Sequence, residues 1–166
     1  KMTKSDKSKH NICIASIKRS TMKPYDFKWT KFYEYNLDFP YSELHLDLTA
    51  NELIICSTFI DADNYSILTT QQLITKHDGQ TCTGNIEGAT NKVTDNLHAD
   101  FKGHKGKLFT FGHLQLENGT DLKYFVETGN ASMVMTDAVR TLIRTKQMTD
   151  IQVDKLARNW SKQNET

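Results

Sequence analysis

Two runs of alternating apolar character, KLFTFGHLQL (107–116) and DLKYFVE (121–127), flank Glu117-Asn118-Gly119-Thr120. An Asn-Gly pair supplies the positive-φ positions that tight antiparallel connections need, so this stretch predicts a β-hairpin. Phe109 and Phe111 then share one of its faces, as do Leu122, Tyr124 and Val126. A hairpin with an apolar face needs a second layer to cover it, and the upstream sequence reads as strands. ELHLDL (43–48) alternates strictly, with Leu44, Leu46 and Leu48 facing one way and Glu43, His45 and Asp47 the other, which predicts a half-buried strand. ELIICSTFI (52–60) has the longer apolar run of a strand buried on both faces. YSILTTQQLITK (65–76) is rich in β-branched residues and ends at the turn dipeptide Asp78-Gly79. QTCTGNIEGATNKVTDNLHADF (80–101) reads as two short strands broken by glycines.

After Gly129 the period changes. In NASMVMTDAVRTLIRTKQM, residues Ala131, Met135, Ala138, Val139, Leu142 and Ile143 fall at helical spacing, with Asn130 placed to cap the N-terminus. Arg140, Arg144 and Lys146 come late, where a helix dipole favours them. A second, shorter amphipathic segment runs from Asp150 to about Trp160, with Val153, Leu156, Ala157 and Trp160 on one side, and the last few residues are expected to be disordered. About seven strands followed by a helix predict an α+β fold with an antiparallel sheet. The expected organisation is a β domain with its capping helix over 41–147, a basic, aromatic extension packed on it over 1–40, and a short helix and tail over 148–166.

That extension holds the densest aromatic stretch. KPYDFKWTKFYEYNLDFPY (23–41) carries eight of the chain's sixteen aromatic residues. Tyr25, Phe27 and Trp29 alternate, as do Tyr33, Tyr35, Leu37 and Phe39, so the rings are expected to lie across the sheet with Lys23, Lys28 and Lys31 pointing outward. Rings interleaved with lysines can stack on single-stranded nucleic acid, given a wide basic field. The next 66 residues oppose that, with two Lys/Arg against ten Asp/Glu, so no nucleic-acid partner is expected.

The net charge of +1 conceals this asymmetry: +6 over residues 1–35, −8 over 36–101 and +3 over 102–166. A chain of 166 residues with 37% hydrophobic and 25% charged residues suits one globular domain with a real core. No apolar run approaches the roughly 20 residues that cross a bilayer. The first ten residues lack the apolar centre of a signal peptide, and Met2 reads as the natural start behind Lys1. Cys13, Cys56 and Cys82 form no C-x-x-C and read as buried thiols in a reducing, cytoplasmic setting. The N-x-[ST] triplets at Asn64, Asn118, Asn130, Asn159 and Asn164 read as turn chemistry.

NELIICSTFIDADNYSILTTQQLITKHDG resembles the opening hairpins of bacterial pleckstrin-homology-like domains, in which an apolar strand leads to a Leu-Thr-Thr strand and a polar turn. GHLQLENGTDLKYFVETGNASMVMTDAVRTLI is similar to their closing hairpin and C-terminal helix. The resemblance spans residues 43–147 and implies an open barrel of two near-orthogonal antiparallel sheets with one corner closed by the helix. The aromatic first 40 residues, the extra C-terminal segment and the lack of a Trp in the closing helix depart from the family pattern. Such domains bind lipid head groups, peptides or proteins through differing residues, so the resemblance implies binding and transfers no site.

Signatures of phosphate loops, dinucleotide folds, zinc proteases and serine hydrolases are absent from the sequence. Asp61-Ala62-Asp63-Asn64 begins like a calcium loop, but the required Gly is missing and Gln72 stands where the bidentate Glu belongs, so it reads as a solvated turn. His98, Asp100, His104 and His113 have the donor types for zinc without its tight spacing, and no metal or cofactor is expected. In FKGHKGK, Lys102, His104, Lys105 and Lys107 could hold a phosphate. The first hairpin, where the related domains are basic, is acidic here, so membrane attachment is not expected. The leading expectation is a non-catalytic module that recognises a basic protein through Glu43, Asp47, Asp61, Asp63, Asp78 and Glu87. One concrete form is an intracellular inhibitor, such as an immunity protein masking a basic nuclease toxin. The alternatives are an anionic lipid head-group binder and an enzyme with a dispersed site; the oligomeric state stays open.

Overall fold

A computed structural model describes residues 5–89 and 108–164. Among these, helices α1 (Asp6–Ser20), α2 (Ser132–Arg144) and α3 (Asp150–Asn164) accompany seven strands. The strands are β1 (Thr30–Phe32), β2 (Ile54–Asp61), β3 (Asn64–Thr69), β4 (Gln72–His77), β5 (Gln80–Asn85), β6 (Phe109–Gln115) and β7 (Asp121–Glu127). β1 to β5 form one antiparallel sheet in sequential order, and β6–β7 form a separate two-stranded sheet. The fold is therefore α+β and is not a closed barrel.

Local chemistry explains the meander. Residues 65–76, expected as one strand, are two, because the Thr69 hydroxyl oxygen accepts from the Gln71 and Gln72 N–H groups at 3.1 and 3.0 Å and reverses the chain. Asp78 (φ 50°) and Gly79 (φ 83°) make the next turn, as their dipeptide predicts. Side-chain alternation then gives the sheet two apolar faces. Leu68 and Leu73 enter the main core; Ile54, Tyr65, Ile67 and Ile74 enter a second core on the other face. A register shift between Ile54 and Cys56 lets consecutive Ile55 and Cys56 both join the main core.

The predicted hairpin is present, in register from Phe109↔Glu127 to Gln115↔Asp121. Its loop is closed by the Leu116 N–H on the Thr120 carbonyl at 2.8 Å, with Gly119 at φ 86°. β7 touches β2, β3, β4 and β5 and so runs across them, and the Phe125 N–H donates to the Ser66 hydroxyl oxygen at 2.8 Å. Close approach here depends on Gly112, where a Cβ would lie 2.2 Å from Cζ of the fully buried Tyr124 ring.

The first forty residues differ most from expectation. They are no appended extension: residues 6–20 form α1, capped by the Ser5 hydroxyl on the Ser8 N–H at 3.2 Å, and Ile12, Cys13, Ala15 and Ile17 lie in the main core. α2 packs beside it, with Cys13 Sγ 3.7 Å from the Ala138 carbonyl and the Thr141 hydroxyl 3.0 Å from Ser16 Oγ. α3 lies parallel to it, since Asp150 accepts from the Ser5 N–H at 3.1 Å, Asp154 accepts from the Ser8 hydroxyl at 2.9 Å, and Arg19 sits 4.9 Å above the Trp160 ring. α3 continues to Asn164 instead of ending near Trp160. Asn130 does not cap α2; it belongs to a preceding 3-10 turn, Gly129–Ala131, and Ala131 holds the cap position.

The aromatic stretch divides its rings between the two cores. Phe27 and Phe32 pack on the main core, Tyr33 and Phe39 in the second, and Tyr35 is 70% exposed. Lys23, Lys28 and Lys31 are exposed as expected. ELHLDL is not a strand: Ser42–Leu44 form a 3-10 turn and His45 has φ 48°. Its leucines do face inward as predicted, half-buried on the second core, but the turn and the left-handed His45 break the extended backbone that a ladder needs.

Candidate protein-interaction surface

The β2–β3 and β4–β5 turns meet at one end of the sheet. The Gly79 N–H donates to the Asp63 carbonyl at 3.1 Å, and the Asp78 N–H donates to the Asn64 side-chain oxygen at 3.0 Å. Asp61 Oδ1 organises its own turn, accepting from the Asp63 N–H at 2.8 Å and the Asn64 amide at 3.0 Å. Asp61, Asp63 and Asp78 are thus exposed carboxylates on two turns bonded to each other. Two basic groups stand beside them: the Lys76 ammonium is 4.0 Å from Asp63, and His77 Nε2 is 3.9 Å from Asp78.

Behind these turns stands a column of rings that sequence reasoning missed. Phe59 and Tyr65 are cross-strand partners next to the turn, stacked at 5.5 Å, and Tyr41 stacks on Phe59 at 4.1 Å with an interplanar angle of 12°. The signal was available in Phe59 and Tyr65, which flank Asp61-Ala62-Asp63-Asn64. Burial raises the Tyr41 phenol pKa, and the carboxylate of Glu43, two residues on in the 3-10 turn Ser42–Leu44, raises it further. Burial likewise raises Tyr65. Both phenols stay neutral hydrogen-bond donors at ordinary pH. Carboxylates beside the half-buried Tyr41 and Phe59 can take an ammonium or guanidinium group by charge-assisted hydrogen bonds and by contact with the exposed part of those rings.

The other predicted acids do not join this group. Asp47 lies at the opposite end of the sheet, where its carbonyl accepts from the Gln72 side chain at 3.4 Å. Glu87 follows β5 at that same end. Lys102, His104, Lys105 and Lys107, with His98 and Asp100, fall outside the described residues. His113 is described, and its Nδ1 lies 2.9 Å from Asp121 Oδ2. Among the described residues no three His, Cys, Asp or Glu gather as metal ligands would.

Two carboxylates with structural roles also went unread. Buried Glu52 accepts from the Thr49 N–H at 3.1 Å, from the Gln72 amide at 2.9 Å and from the Thr69 hydroxyl, tying the chain before β2 to the β3–β4 turn. Glu127 accepts from the N–H groups of Lys28 and Trp29 at 3.0 and 2.7 Å and from the Thr30 hydroxyl at 2.9 Å. Burial pushes the Cys13, Cys56, Tyr33 and Tyr124 pKa values up, and all four groups sit inside the fold.

No helix among the described residues is long and apolar enough to cross a membrane. Comparisons with protein-family models, with curated proteins and with solved structures returned no match. Fold and surface together define an α+β protein with an acidic, ring-backed end on its main sheet.

Proposed function

We propose that this protein is a non-catalytic binding module that recognises a basic protein through the end of the sheet bearing Asp61, Asp63 and Asp78, with Glu43 and the ring column beside it. The observation that carries the reading is the mutual bonding of the two acidic turns, which holds the carboxylates in place before any partner arrives. Preformed charge raises association rate and selects partner sign at little ordering cost. An inhibitor that masks a basic toxin is the concrete form of this role. The pleckstrin-homology-like frame belongs to the same proposal; a meander followed by a crossing hairpin and a helix supports it. So does a cytoplasmic setting, supported by three unpaired cysteines.

Capture of partners from the native host at low salt tests the reading. The unaltered protein should retain a basic protein, D61K/D63K should weaken that retention at least tenfold, and D47K at the far end should leave it intact. Equal capture by D61K/D63K and the unaltered chain overturns the proposal.

A further inference from the structure

A cleft of about 930 Å³ opens between α1 and α3. These helices pack on the main core, across the sheet from the ring column. Its floor is apolar, with Ile14, Ala15 and Ala157, and its walls are polar. Three carboxylates line it, and each already accepts a bond from the chain. Asp150 takes the Ser5 N–H at 3.1 Å, Asp154 takes the Ser8 hydroxyl at 2.9 Å, and Glu34 takes the Lys18 ammonium. The donors are not matched in the same way. Lys7, Arg158, Lys162 and the Asn11 amide line the cleft, and their side chains bond to no described group.

Asp150 and Asp154 keep their charge, but the lining carries four cations, Lys7, Lys18, Arg158 and Lys162, against three carboxylates. No described carboxylate is bonded to Arg158 or Lys162, which favours an anion at their end of the cleft. Arg158 and Lys162 are one turn apart on α3, so they share a face, and Ser161 lines the cleft beside them. A guanidinium and an ammonium in that arrangement suit phosphate oxygens. Tyr35, 70% exposed, supplies a flat ring at the rim. The cleft is an open groove whose volume is enough to receive a molecule of nucleotide size.

We infer that this cleft binds a nucleotide, with its phosphates on Arg158, Ser161 and Lys162 and its base against Tyr35. No chemical step is involved. The site is separate from the acidic end of the sheet, so either assignment can fail without the other.

Calorimetric titration of the full chain with ADP, and separately with inorganic phosphate, tests it. ADP should bind saturably at one site and at least tenfold more tightly than phosphate, with an affinity that falls as salt rises. R158E/K162E should lose at least tenfold in ADP affinity, and R158Q/K162Q should show a loss in the same direction. Y35A should weaken ADP and leave phosphate unchanged, and D61K/D63K should bind ADP normally. Absence of saturable ADP binding, ADP binding no tighter than phosphate, or full ADP affinity in the Arg158/Lys162 variants or in Y35A overturns the inference.

Discussion

His10 is 6% exposed on α1, with Nε2 2.7 Å from the Tyr33 carbonyl oxygen. Burial lowers its pKa below the ordinary 6.5, against the smaller opposing pull of the Tyr33 and Ile54 backbone and the Glu34 carboxylate. The ring therefore serves as a neutral donor that holds α1 to the chain beyond β1. On acidification the unfolded chain takes up this proton near 6.5 and the folded one only at lower pH. Between those points the unfolded state binds more protons, so stability falls as pH drops through that window and levels off beneath it. H10Q keeps a donor and removes the titration. Its urea midpoint should lie below that of the unaltered protein at pH 7.5, and the gap should narrow toward pH 5; a gap that stays constant would show that the buried imidazole does not titrate in this way. Single residues were legible where their chemistry is local. Asn64 and Asn118 do make turn bonds, the latter accepting from the Thr120 N–H at 2.9 Å. Asn159 does not, because it falls within α3. Glu127 could not be read, since its partners at Lys28, Trp29 and Thr30 lie about a hundred positions away in sequence.

At the scale of elements, that carboxylate decides whether β1 stays on the sheet. β1 has only three residues, and its Thr30 is buried against Thr58 at 3.0 Å. E127A would leave two N–H groups and a hydroxyl without their charged acceptor, at a cost of about 2–3 kcal/mol. Urea unfolding should show that loss, and hydrogen exchange should quicken at Phe59, whose N–H donates to the Trp29 carbonyl at 2.9 Å. Unchanged exchange at Phe59 would mean that β1 is held by packing alone. Of the elements read correctly from sequence, the β6–β7 hairpin and α2 show one apolar face at their own period, and β2 shows the continuous apolar run of a strand covered on both faces. α1 shows no such helical face. Its apolar residues run almost continuously from Ile12 to Ile17, because the sheet, α2 and α3 enclose it on several sides and erase the amphipathic signature. ELHLDL shows the converse: its alternation identified the inward face but could not reveal the 3-10 turn at Ser42–Leu44 and the left-handed His45 that keep it from being a strand.

At the scale of the molecule, one sheet separates two apolar cores, and the cysteines report on the larger one. Cys13 and Cys56 are fully buried there, whereas Cys82 is exposed on β5. Burial raises the pKa of both inner thiols, so neither offers a thiolate to solvent. A thiol reagent should label Cys82 at once and the other two only as fast as the whole fold opens. Rapid native-state labelling of all three would mean that the α1–sheet interface breathes on its own. The charge pattern was legible as a quantity but not as a shape: three of the six acids singled out, Asp61, Asp63 and Asp78, sit on two bonded turns at one end, and Asp47 and Glu87 fall at the other because β-strand direction sets which turns are neighbours. The parallel clasp of α1 and α3 also constrains how the protein is made. α1 cannot dock on its parallel neighbour until more than a hundred further residues have been synthesised, so its run of isoleucines stays without that cover while the intervening sheet is being made.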